Sequence, residues 1–145
     1  MLNSASTIIK SNSIAELTIV VEEHIQTYPI IYSSNHGKLI FTPLSMSFKI
    51  NPKSNQMVSV SVASSAKPNL IVILEGNIVP DNSIDKNEIL DTWISTNPSI
   101  SKFLNTKKLY MSGYLDKSIF SFIPQKIKIW DSNSDEYQEN EVYIP

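Results

Sequence analysis

Residues 57–63, MVSVSVA, alternate strictly between apolar and small polar side chains. This period of two is the mark of a strand with one buried face. The run does not stand alone. Residues 15–22 (AELTIVVE), Tyr28–Tyr32, Lys38–Thr42 and 70–79 (LIVILEGNIV) are all short, rich in β-branched or aromatic types, and bounded by polar or turn-forming residues. The cluster around Asn35-His36-Gly37 joins two of these runs, so 27–42 is expected to form a hairpin. Gly76 inside the run 70–79 points to a bulge or bend of the kind that barrel corners need.

The period then changes. From Asp85 the apolar residues Ile89, Leu90, Trp93 and Ile94 share one helical face, which makes Trp93 a core residue. Asn97-Pro98 ends this helix and opens a second, with Ile100, Phe103 and Leu104 on one side. Strand character is expected to return in 108–115 (KLYMSGYL) and 118–130 (SIFSFIPQKIKIW), where Ile127 and Ile129 alternate with Lys126 and Lys128. The acidic tail 131–145 reads as an irregular surface extension. Five strands, a helical stretch and two more strands, without βαβ alternation, give a mostly β fold with minor α. A closed or split antiparallel β-barrel with flanking helices removes the exposed edges. At 145 residues this is one domain, 1–145, with no internal repeat or long linker.

Composition removes several classes of function. There is no Cys, hence no disulfide, thiolate nucleophile or thiolate metal site. All 12 basic residues are Lys, and the net charge is -2. Nucleic acid is therefore not an expected partner, and an oligonucleotide-binding barrel is disfavoured. Without Arg, an anion must be held by Lys, hydroxyls and backbone N–H groups. No apolar run reaches membrane-spanning length, and MLNSASTIIKSNS lacks the basic start and long apolar centre of a secretion signal. The expected location is cytoplasmic, with no membrane partner. His24 and His36 lack a second ligand at helical spacing, so no metal site is expected; His24 could serve as a haem ligand, but nothing selects it. Glu22 and Glu23 are adjacent and point to opposite faces of a strand. With three glycines in all, Gly-rich phosphate loops are excluded.

The segment Phe41–Val60, FTPLSMSFKINPKSNQMVSV, resembles the pyridoxamine 5'-phosphate oxidase-like family of flavin-binding split barrels. In that family a strand ends in an aromatic-x-Thr and is followed by Ser-x-Lys, a short helix, an Asn-Pro-like pair and a β run. The matching positions are Phe41, Thr42, Ser47, Lys49, Asn55 and Met57–Val60. LEGNIVPD (74–81) and the pattern from Phe122 to Trp130 fit the order of the later elements, so the resemblance spans roughly 15–132.

The resemblance implies a homodimer with FMN at its interface. Ser47 and Lys49 would grip the phosphate, assisted by Thr42 and Ser45. The strand from Thr27 through Tyr28, Pro29 and Ile30 would border the ring, and Trp130 would either reach the partner's flavin or pack a barrel end. The hydroxyls and Lys of 42–49 also read as a capped turn with one solvated Lys. A deazaflavin suits the same slot. The chain departs from the family in having no Arg for the flavin phosphate, and in carrying Glu22-Glu23-His24 where a tight Asp-Gly turn is usual. Together with the lack of the Arg-rich substrate site that the true oxidases carry near the C-terminus, these departures argue against pyridoxamine phosphate oxidation itself. They leave open a flavin-dependent oxidoreductase and a non-catalytic ligand-binding protein on the same fold.

Overall fold

The computed structural model describes residues 2–21, 23–45, 57–79, 85–110, 119–134 and 136–140. The strands are β1 (Ile14–Val21), β2 (His24–Asn35), β3 (Lys38–Pro43), β4 (Met57–Ala63), β5 (Leu70–Val79), β6 (Phe120–Asp131) and β7 (Glu136–Asn140). The helices are α1 (Leu2–Ser11), α2 (Lys86–Thr96) and α3 (Ser101–Tyr110), with a single 3-10 turn at Pro98–Ile100. Every strand pairing is antiparallel, in the order β3-β2-β1-β4-β5-β6-β7. An extra pairing of β3 with β6 closes the first six strands into a barrel.

β6 explains how the barrel is split. One of its edges pairs with β5 along the whole strand. On the other edge its start, Phe120–Phe122, pairs with β3, and its end, Ile127–Asp131, pairs with β7. β7 thus satisfies the backbone groups that β3 leaves open.

Local chemistry fixes the turns and the bend. β2 and β3 are joined through His36 and Gly37, both with positive φ (48° and 88°), between the paired residues Asn35 and Lys38. Two consecutive left-handed residues make the hairpin turn whose twist matches its strands. The register shifts between Glu75 and Gly76: Glu75 pairs with Lys126 but Gly76 with Pro124, leaving Gln125 extra. The extra residue changes the parity of β6, so Phe122 before it and Ile127 after it both face the core. The sequence expectation for Gly76 holds, and the cause is close approach. A Cβ there would lie 2.1 Å from the Ile123 carbonyl oxygen.

Two apolar layers result. Inside the barrel pack Leu17, Tyr32, Phe41, Val60, Leu74 and Phe122 with their neighbours, and α1 adds Ala5, Ile8 and Ile9. Outside it, Ile31 and Ile40 meet Leu90, Trp93 and Leu104 of the helices together with Ile119. Trp93 is buried, as its helical spacing predicted, and its Nε1 donates to Ser33 Oγ at 2.7 Å. Asp85 caps α2 by accepting from the Glu88 N–H, and Asn97 closes the helix ahead of Pro98.

Two sequence expectations are corrected. Residues 108–110, expected to start a strand, form the end of α3; 111–118 fall outside the described residues. The tail is not wholly irregular, because 136–140 form β7. The first residues, read only as lacking a secretion signal, form α1. No helix among the described residues is long and apolar enough to cross a membrane.

Candidate functional site

The corner where β3 ends is built by its pairing with β2. Thr42 lies opposite Ile31 and Pro43 opposite Ile30. The Leu44 N–H then donates to the Pro29 carbonyl at 2.9 Å, which carries the chain one step past the strand. Thr42, Ser45, Tyr28, Pro29 and Ile30 thereby lie along the same stretch of the β2–β3 pair. Their exposures differ. Thr42 is fully buried, on the strand face that it shares with Ile40, and Ile30 is fully buried in the barrel core. Ser45 and Tyr28 are half-buried and Pro29 is exposed. The surface of the corner is therefore formed by Ser45, Tyr28 and Pro29, while Thr42 and Ile30 support it from beneath.

Thr27 sits one residue farther along β2, exposed, with its hydroxyl 3.3 Å from that of Thr18. The Tyr28 hydroxyl donates to Gln26 Oε1. Ser47 and Lys49, the residues expected to grip a phosphate, fall outside the described residues.

Trp130 is elsewhere. It is half-buried near the end of β6, opposite Ile71 on β5 and Tyr137 on β7. Phe120, the β6 residue opposite Phe41, precedes it by ten positions, roughly 30 Å of extended chain at 3.3 Å per residue. Within one chain, Trp130 does not join the Thr42 corner. Near it the Lys128 Nζ lies 3.3 Å from Glu75 Oε1 in a partly exposed ion pair. The Asp131 carboxyl is held below its usual range, first by the Asn69 side-chain amide and then by the Asn133 N–H.

Two depressions lie away from the corner. One, about 560 Å³ and open, runs along α2 past Asp85, Glu88 and Asp91; its acidic lining opposes a phosphate. The other, about 280 Å³, lies between α1 and the turn that joins β4 to β5. Sequence reasoning missed the second, because α1 had not been identified. The signal was present in the i, i+3, i+4 spacing of Ala5, Ile8 and Ile9. No group of three or more metal-ligating side chains occurs among the described residues.

At the corner, half-buried Ser45 lies next to half-buried Tyr28 and exposed Pro29. No family model matches the chain, and neither does any curated protein. Solved structures do. A protein related to general stress protein 26 from Clostridium acetobutylicum, described as of the pyridoxinephosphate oxidase family, superposes with a TM-score of 0.62 at 12% identity, covering 97% of this chain and 94% of that one. General stress protein 26 from Bacillus anthracis gives 0.58 at 14% identity, over 96% and 98%. A FAD-binding protein from Mesorhizobium loti gives 0.57 at 13% identity, over 89% and 93%. The fold is that of the pyridoxamine 5'-phosphate oxidase-like split barrels. In this split barrel the likeness extends over nearly the whole chain while identity stays low, so what is shared is the architecture.

Proposed function

We propose that this chain is a flavin-binding split-barrel protein, with FMN held at the interface of a cytoplasmic homodimer and used in an oxidoreductase reaction. The observation that carries the reading is the tie from the Leu44 N–H to the Pro29 carbonyl. It carries the chain to Ser45 alongside the exposed part of β2, on a fold shared with proteins described as FAD-binding. When bound, a flavin supplies hydride and electron transfer; the chain's residues hold and orient it. Ser45 donates at the corner, Tyr28 and Pro29 form an apolar border for a flat ring, and Ser47 and Lys49 take the phosphate.

The dimer supplies the second wall. The outward side chains of β4, Ser59, Ser61 and Ala63, are small, and Ile71 and Ile73 stand beside them on β5. Such a flat, partly apolar face suits two-fold pairing. Through a partner's copy of this face, Trp130 comes within reach of a corner that it cannot approach in its own chain.

The absence of Arg favours a second reading, a barrel of the same kind that binds ligand without catalysis. A deazaflavin is the alternative cofactor. Titration with FMN, FAD and a deazaflavin, followed by quenching of cofactor fluorescence, separates these readings. Saturable quenching by FMN supports the proposal. Preferential quenching of the deazaflavin replaces FMN, and no quenching by any of the three removes the cofactor. Light scattering at micromolar concentration is expected to give twice the chain mass; a monomer would sink the interface site.

A further inference from the structure

We infer that the cleft between α1 and the β4–β5 turn is a binding site for a short-chain carboxylate. It encloses about 280 Å³ and is lined by Thr7, Ile8 and Ser11 of α1, by Ser64 and Lys67 of the turn and by Leu70 at the start of β5. Its floor is apolar: Ile8 is buried and Leu70 half-buried. Its rim carries hydroxyls and one cation. Lys67 is exposed and makes no ion pair with a described residue.

Ser64 is the decisive group. Its side chain is only 8% exposed, and its Oγ accepts the Lys67 N–H at 3.0 Å. The hydroxyl proton meets no acceptor among the described residues, so a buried donor lies in a cleft that exposed Lys67 also lines. An anionic oxygen would satisfy both.

The end of α1 does not oppose this. A helix C-terminus repels anions through its free carbonyls. Here the carbonyls of Thr7, Ile8 and Ile9 accept from Ser11 Oγ (2.6 Å), Asn12 Nδ2 (2.7 Å) and Tyr32 Oη (2.6 Å), respectively. Two of the four terminal carbonyls, those of Ile8 and Ile9, are thus already occupied by side-chain donors, which weakens the repulsion.

Size and charge select the ligand. An apolar cavity of about 150 Å³ holds benzene, so this cleft admits a chain of about six carbons along Ile8 and Leu70. One Lys and one hydroxyl match a monoanion better than a phosphate, which calls for more donors. None of these residues belongs to the Thr42–Ser45 corner, so the inference stands apart from the flavin reading.

The test is calorimetric titration of the full chain with hexanoate, acetate and hexanol. Hexanoate is expected to bind saturably with a dissociation constant of about 1 mM, more tightly than either control. Lys67→Gln, on an exposed turn, is expected to weaken hexanoate at least tenfold, about the loss of one charge-assisted contact. Ser64→Ala is expected to weaken it as well, with circular dichroism confirming that the fold is kept. Absence of saturation up to about 100 mM, a hundredfold above the expected constant, would overturn the inference. So would equal binding by Lys67→Gln, or hexanol binding as tightly as hexanoate.

Discussion

The Tyr32 hydroxyl, on β2 within the barrel core, donates to the Ile9 carbonyl in the last turn of α1 at 2.6 Å. The bond fastens the helix to the barrel through a residue only 2% exposed. Removing the donor leaves a carbonyl at a buried position without a partner. Tyr32→Phe is expected to lower stability by about 1–3 kcal/mol, read from the urea midpoint at neutral pH. A change within a few tenths of this unit would mean that α1 is held by its apolar residues alone.

The same burial sets an alkaline limit. Desolvation raises the Tyr32 pKa well above the ordinary phenol value of about 10. The unfolded chain therefore releases this proton first. The contribution of neutral Tyr32 is complete below about pH 10 and declines as pH rises from there towards the folded-state value. Urea midpoints measured between about pH 9 and 11 should fall more steeply for the natural chain than for Tyr32→Phe. Parallel slopes would contradict the assignment.

Two glycines separate close approach from backbone strain. Gly37 has φ 88° but nothing within 4 Å of a Cβ built upon it, whereas a Cβ at Gly76 meets Ile123 O at 2.1 Å. Gly37→Ala should cost about 1 kcal/mol, from the left-handed conformation alone. Gly76→Ala should cost at least about 3 kcal/mol, because backbone atoms must move. Equal losses in denaturant unfolding would remove the argument that the β6 bulge demands a glycine.

Much of this architecture was legible because the inner strands state their own period. Val58, Val60 and Val62 face the core and Ser59 and Ser61 do not, so MVSVSVA could scarcely be read otherwise. β7 gave no such signal. EYQEN forms a strand through its backbone ladder to β6, and an edge of that kind can be written in almost any polar residues. The end of α3 failed for another reason: KLYMSGYL carries aromatic residues that favour strands, while helix packing before it decides the outcome. At the candidate site, the end of β3 was legible to within one residue. The division between Thr42 beneath the surface and Ser45 on it depends on strand parity against the helical layer, which no motif encodes.

Trp93 joins the helical layer to the barrel by packing and by one polar contact. It is 2% exposed and donates from Nε1 to Ser33 Oγ at 2.7 Å. Trp93→Ala should destabilise by about 3–5 kcal/mol. Trp93→Phe keeps much of the apolar area, loses the donor and should fall between the two, with near-ultraviolet dichroism reporting the loss of fixed packing. If Trp93→Phe were as severe as Trp93→Ala, the hydrogen bond rather than the ring would be the dominant contribution.

The flavin proposal places its phosphate on Lys49, in a chain with no guanidinium to share the load. A single ammonium lost from a phosphate contact removes about 1–3 kcal/mol, so Lys49→Ala should weaken FMN binding by roughly tenfold to a hundredfold. Riboflavin, which lacks the phosphate, should bind the natural chain and Lys49→Ala alike. Lys102→Ala is the control: Lys102 is exposed on α3, outside the β3 corner and the proposed dimer face, and its loss should leave FMN affinity unchanged if the anchor is specific. If both variants weakened FMN equally, attraction would be a matter of general charge, and the β3 corner would have no claim to the phosphate.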